Sequence, residues 1–151
     1  MAKIKITMPE DKFETTATLL DSEAPKTCKA VLSLPLEGKL MHAMMSGNET
    51  LIELRGEKMI KLEPENWIYN VVPGDLTYWY SHWGEGKYLK DNLEFSEIVF
   101  IYGRHVKVRN LAHENAATNL FGRIDNKLDE FAKACDRIRF DGARKIRLEK
   151  I

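Results

Sequence analysis

The side chains best suited to chemistry fall at a few separated places. His42 stands in Met41-His42-Ala43-Met44-Met45. An imidazole that titrates near neutrality can act as acid, base or donor. Tyr102 closes the most apolar stretch, Ile98-Val99-Phe100-Ile101-Tyr102, and Gly103-Arg104 follows. A phenol and a guanidinium at a strand end can orient an anionic or amide ligand. His42 and Tyr102 are therefore the candidate catalytic pair, and Arg104 a candidate ligand-binding donor. Arg123, in Phe121-Gly122-Arg123-Ile124, is a second such donor, and Asn119 offers an amide near the same face. Glu53 shares a strand face with Leu51 and Arg55, so it either lines a cleft beside His42 or faces water.

The run Tyr78-Trp79-Tyr80-Ser81-His82-Trp83 is the most unusual feature. Alternation puts Tyr78 and Tyr80 on one face and Trp79 on the other. One face belongs to the core, and the other can wall a ligand pocket or meet a partner, with Trp79 as the candidate wall. Trp83, beside Gly84, suggests a lid or an interface.

Several chemistries find no support. His42, His82, His105 and His113 lack paired ligand spacing, and His113-Glu114 is not the start of a zinc helix motif because residue 117 is Ala. Phosphate loops, dinucleotide fingerprints and Gly-x-Ser-x-Gly elements are absent, so no metal and no cofactor is expected. Cys28 and Cys135 each lie on an apolar helical stripe and read as buried small hydrophobes. Lys plus Arg is 23 and Asp plus Glu is 23, a zero balance that argues against nucleic acid and anionic membranes as partners. The basic clusters around Arg104–Arg109 and Arg137–Arg147 read as solvated faces. The N-terminal Lys-Ile alternation has no signal-peptide core, and no apolar run approaches the ~18 residues of a membrane span. A cytoplasmic protein is expected.

These side chains need a frame. With 151 residues, 44% apolar and 30% charged, the chain reads as one domain over 1–151. Lys3 to Thr7 alternates as a half-buried strand, and Phe13 to Leu19 completes a hairpin. Asp21 or Ser22 can cap a helix over about 23–34, with Pro25 in its first turn and Pro35 at its end. Met41–Met45, Thr50–Leu54, Glu65–Val72, Leu76–Tyr80, Ile98–Tyr102 and Leu120–Ile124 read as strands, and 81–94 as an exposed loop. Leu128, Phe131, Ala132, Cys135 and Ile138 make the stripe of a second helix, capped by Asp125 or Asn126 and stopped at Asp141-Gly142. Residues 144–150 alternate once more. Many short strands with only two helices predict a mainly β fold, a closed β-barrel with two capping α-helices. The first and last strands are expected to pair and close it.

Ala24-Pro25-Lys26-Thr27 after a hairpin resembles the helix start of cyclophilins, and Phe121-Gly122-Arg123-Ile124 resembles their strand before a trailing helix. The chain is more similar still to a bacterial family of small cyclophilin-like proteins of unknown function. The residues that carry this are Ser46-Gly47, Glu65-Asn66, Pro73-Gly74-Asp75, Glu97 to Gly103 and the FGRI strand. The resemblance implies a cyclophilin-like barrel over residues 3–150 and no established reaction. It also places Ala43 where proline isomerases carry their arginine, one residue after His42. The expected function is binding of a small polar metabolite, an amide or lactam among them, in a cleft on the barrel face. The alternatives are a prolyl isomerase with a rearranged site, or a non-catalytic subunit in a homo-oligomer or with a partner subunit.

Overall fold

The computed structural model describes residues 1–33, 36–83 and 94–151. Its elements run β1 (Lys3–Met8), β2 (Phe13–Leu19), α1 (Pro25–Leu32), β3 (Leu36–His42), β4 (Glu49–Leu54), β5 (Trp67–Ile68), β6 (Asp75–Tyr80), β7 (Ser96–Ile101), β8 (Thr118–Ile124), α2 (Leu128–Asp141) and β9 (Arg144–Lys150). The strand order is β2-β1-β9-β3-β4-β7-β6-β8, and β8 returns to β2, which closes an antiparallel barrel. β5 attaches to β8 outside this ring. β1 and β2 form the expected hairpin, with Lys3 opposite Thr18 and Met8 opposite Phe13. The first and last strands pair as their alternation suggested, Ile4 opposite Lys150 and Thr7 opposite Arg147.

The pleat decides the core. Ile4, Ile6, Ala17, Leu19, Leu40, Ile52, Leu76, Tyr78, Ile98, Phe100, Phe121, Ile146 and Leu148 point inward and are buried together. Each large apolar side chain so buried contributes roughly 1.5–3 kcal/mol. Gly122 marks where β8 joins β2. A Cβ there would lie 3.1 Å from a Leu19 methyl and 3.2 Å from the Thr18 carbonyl, so the FGRI glycine is a close-packing residue.

The two helices cover the barrel, with different caps from those expected. Neither Asp21 nor Ser22 caps α1, whose N-cap is Ala24. Glu65 does the work from a distant segment, accepting from the Lys26 and Thr27 N–H groups at 3.1 and 2.8 Å and from the Thr27 hydroxyl at 2.8 Å. In α2, Phe131, Cys135 and Ile138 are buried as the stripe required, and Gly142 at φ 84° ends the helix. Its N-cap is Lys127. Asp125 is drawn away to the Thr16 and Thr18 hydroxyls and to Lys3, while Asn126 accepts from Thr15. Phe131 packs its ring 5.9 Å from Phe13 and 6.1 Å from Phe100, plugging one end. Cys28 and Cys135 are both free and buried.

The strand expected over Glu65–Val72 shrinks to Trp67–Ile68. Asn66 has φ 46°, which breaks the extension, and its side chain donates to the Leu120 carbonyl. The expected stop at Pro35, and most of the loop expected at 81–94, lie outside the described residues.

β4, β6 and β7 also carry buried apolar residues on their outward faces. Outside the barrel, Leu51, Val99 and Ile101 are overlaid by Val71 and Val106 and flanked by Met41 and Ala43. Beside them Trp79 and Phe95 are overlaid by Val108 and Ala116. The segments 69–74 and 102–117 therefore form a second layer on the outer wall. That layer positions the site.

Candidate functional site

A pocket of about 340 Å³ opens between the outer wall and this second layer. The period-2 pleat decides what lines it. On β4 the odd positions Glu49, Leu51 and Glu53 face outward. On β7 the outward positions are Glu97, Val99 and Ile101. Register sets Glu97 between Glu53 on β4 and Trp79 on β6. The pocket is walled by Trp79, Phe95, Leu51 and Val99, reached by Glu49 and Glu97, and rimmed by His42 and Arg109.

Two carboxyls reach the pocket. Glu49 is only 4% exposed, and its Oε2 has no hydrogen-bond partner among the described residues. Burial pushes its carboxyl up to about 7, with a hydrogen bond from Ser46 pulling the other way. Burial pushes Glu97 up to about 8, helped by the charges of Glu49 and Glu53 and opposed by Arg55. Both therefore hold protons near neutral pH, at positions where acid–base exchange with a ligand is possible. Arg55 does not neutralise them directly. It pairs with Glu53 at 2.8 Å and lies 4.6 Å above the Phe95 ring. The Arg109 Nε is buried without a partner.

His42 and Tyr102, sixty residues apart in sequence, meet with His42 Nε2 2.6 Å from the Tyr102 hydroxyl. Arg139 of α2 donates to that hydroxyl at 3.1 Å and to Asn48 Oδ1 at 2.8 Å, and it pairs with Asp136 at 3.1 Å. With Arg139 donating to its oxygen, Tyr102 can give its own proton to Nε2. Burial lowers the His42 pKa, Arg139 lowers it further and Asp136 opposes, so His42 is the neutral acceptor. Tyr102 is raised, chiefly by burial, and stays a phenol. The pair sits where the ends of β3 and β7 meet α2. His42 reaches the pocket rim from there, while Tyr102 does not line the pocket.

The remaining candidates are placed elsewhere. Trp79 lines the pocket. Glu53 is tied to Arg55 and lines a different, open groove of about 510 Å³ with Gly38, Lys39 and Lys58, at the end of β4 away from His42. Arg104 is exposed, and its carbonyl accepts from Asn48 at 2.8 Å. Asn119 is fully buried, accepting from the Glu65 N–H at 2.9 Å and donating to the Glu63 carbonyl and Thr27 hydroxyl. Its amide is spent on holding 63–66 against α1. Arg123 is exposed and pairs with Asp75 at 3.4 Å, on the opposite side of β6 from the pocket. Trp83 is no lid. Its indole donates to the Leu62 carbonyl at 2.7 Å and stands edge-on to Tyr78 and Trp67. Exposed aromatic surface lies instead at Trp67 and Tyr69, 46% and 61% exposed.

Glu49, Glu97, Phe95 and Arg109 were not singled out in the sequence. The signal was present for the acids. Each stands at or beside the start of a strand, on the same face as buried apolar residues (Leu51 for Glu49, Val99 and Ile101 for Glu97), so its carboxyl has to share a buried face. Phe95 and Arg109 carry no such pattern. Among the described residues no cluster of three or more His, Cys, Asp or Glu is placed to hold a metal, and no helix is long and apolar enough to cross a membrane.

Residues 6–150 match the family of proteins of unknown function DUF3830. The chain belongs to this family. No curated protein matches it in sequence. Among solved structures, McbB in complex with tryptophan is similar with a TM-score of 0.70 at 16% identity, over 97% of this chain and 44% of that one. The chain thus spans less than half of McbB. The hypothetical protein AF2241 from Archaeoglobus fulgidus is similar with a TM-score of 0.58 at 20% identity, over 99% of this chain and 95% of that one. At these identities the likeness is one of fold, and it places the DUF3830 chain among known barrels.

Proposed function

We propose that the protein binds a small polar metabolite in the outer-wall pocket bounded by Glu49, Glu97, Trp79 and Phe95. The observation that carries this is the Glu49 carboxyl oxygen, buried against an open apolar cavity with no partner of its own. A buried acceptor left unmatched costs roughly 1–3 kcal/mol, and a ligand that donates to it recovers that cost. The cavity lies in the size range of small-molecule sites. The ligand puts a hydrogen-bond donor on the acids, an apolar body against Trp79 and Phe95, and an acceptor toward Arg109 Nε. Amides and lactams have this layout. The McbB structure, 44% of which this chain matches, is of a complex with tryptophan, itself a compact, polar-ended molecule.

A cyclophilin-like ancestry agrees with the closed barrel, its two helices and the positions of the APKT and FGRI segments. Prolyl isomerisation is not favoured, because Ala43 packs in the apolar outer layer and brings no guanidinium. His42, kept neutral by burial and by Arg139, is the group on the rim able to exchange a proton with a bound ligand.

The test is a thermal-shift screen of small amides, lactams, amines and amino acids. A ligand at about 100 times its Kd stabilises the fold by about 2.7 kcal/mol, a shift of several degrees at this chain length. Hits that vanish in Trp79→Ala and weaken in Glu49→Gln support the reading. A clean melt with no hit in any class overturns it.

A further inference from the structure

The pocket carries one guanidinium, that of Arg109, and no described acid is paired with it. Arg109 is half-buried, its Nε is shut off from solvent without a hydrogen-bond partner, and it forms no ion pair among the described residues. The turn that bears it is braced. The Val108 carbonyl accepts from the Ala116 N–H at 2.9 Å, and the Asn110 N–H donates to the Glu114 carbonyl at 3.0 Å. Asn110 Oδ1 accepts from the Ala112 and Glu114 N–H groups at 2.9 and 3.0 Å. Val108, the residue before Arg109, packs on Trp79 and Phe95, so the turn carries the guanidinium to the cavity beside that aromatic wall. The other titratable groups at the cavity are Glu49 on β4, Glu97 on β7 and His42 at the end of β3. Glu53, opposite Glu97, is tied to Arg55 at 2.8 Å. Burial keeps the Glu49 and Glu97 carboxyls protonated on the acid side of about 7, and burial and Arg139 keep His42 neutral. The charge of Arg109 is then the one left unmatched.

We infer that the ligand is a monocarboxylate, its carboxylate held by Arg109 and its apolar body against Trp79 and Phe95. This rests on the pocket being the binding site and adds the charge of what it binds. A guanidinium presents N–H donors in the geometry a carboxylate accepts, and apolar walls keep competing water away from the pair. One guanidinium balances one negative charge, which suits a carboxylate and not a phosphate dianion. A neutral ligand leaves the charge in the apolar wall unmatched. When Glu49 and Glu97 ionise, they add negative charge to the same cavity and oppose the anion. Binding then weakens as pH rises through the range in which they lose their protons, and a bound anion holds those protons on.

Isothermal titration calorimetry on the full chain tests this with three probes on one skeleton: 3-phenylpropionate, 3-phenylpropionamide and 3-phenylpropylamine. The carboxylate is expected to bind at least about tenfold more tightly than the amide, and the amine not at all. Its affinity is expected to fall about tenfold between about pH 6 and pH 9, with a heat that depends on the buffer as protons are taken up. Arg109→Met is expected to weaken the carboxylate about tenfold or more and leave the amide unchanged, with Arg109→Lys in between and Arg123→Ala without effect. Should Arg109→Met fail to fold, Arg109→Lys and the wild-type preference for carboxylate over amide decide. If the amide binds as well as the carboxylate, or Arg109→Met binds the carboxylate as wild type does, the anion inference falls and the pocket stands. If the amine is preferred, the anion inference falls and the acids become the anchoring groups. If none of the three binds and Trp79→Ala melts with the same response to each, both the inference and the pocket assignment fall.

Discussion

Replacing Glu49 by Gln is expected to make the empty protein more stable at alkaline pH and not at acid pH. The folded carboxyl is raised from 4.5 to about 7, chiefly by burial. An acid with a raised folded pKa binds its proton more tightly folded than unfolded. Its cost is therefore absent below the unfolded value, grows as pH rises toward 7, and is complete above it. Two and a half units at about 1.4 kcal/mol each amount to about 3 kcal/mol. Glutamine has the same shape and no charge, so the variant escapes this cost. It leaves a buried amide in place of the acid, which costs about 1 kcal/mol at any pH. The variant is then equal or slightly weaker at about pH 4.5 and about 2 kcal/mol stronger at about pH 8.5. Urea unfolding of both proteins across that range measures the difference, and subtracting wild type from variant cancels the other titrating groups. Removing the Glu49 charge should also lower the Glu97 pKa, because Glu49 is one of the charges that raise it. A constant offset at all pH values, or a variant that loses ground as pH rises, would refute the reasoning. Either result would mean that the carboxylate is matched in the folded state. A site that carries such a cost when empty is one in which binding and stability compete.

Three further outcomes follow from the geometry. Arg139→Met should raise the His42 pKa seen by NMR, though not to its ordinary value, since burial is the larger cause; an unchanged titration would remove Arg139 from the network. Asn119→Ala should cost about 2–4 kcal/mol in urea unfolding, because it strands the Glu65 N–H and the Glu63 carbonyl, and ligand binding in the outer-wall pocket of the folded variant should be unaffected. Cys28 and Cys135, pushed up to about 11 and about 12 mainly by burial, should resist thiol reagents at neutral pH until the chain unfolds; fast labelling of either would contradict their placement.

Local pattern was sufficient for much of the frame. The strand hairpin of β1 and β2, the apolar stripe of α2, the glycine stop at Gly142 and the pairing of the two terminal strands are all consequences of period 2 or period 3.6 in residues close together. Trp79 was legible as a wall because alternation in a bulky strand forces one aromatic outward. The caps were not legible. Glu65 caps α1 from thirty-eight residues beyond Thr27, and a long-range carboxylate competes with a local one without leaving a sequence signature. The binding donors failed for a related reason. Asn119 looked available in sequence and is saturated in the fold, while Arg104 and Arg123 occupy strand or loop ends that face solvent.

The sequence by itself determined a β-rich barrel with two helices, since the spacing of apolar residues specifies which faces must be buried. It also determined that His42, Tyr102 and Trp79 are of the right type for a site. Only the tertiary structure decided which of them meet. Register across β4, β7 and β6 aligned Glu53, Glu97 and Trp79, and the segment 102–117 folded over them to close a pocket. His42 and Tyr102 were joined instead beside α2, and Glu49 and Glu97, which no local pattern had singled out, came to line the pocket. Such meetings depend on strand register and on distant segments packing over one wall, and neither is encoded in the spacing of neighbouring residues.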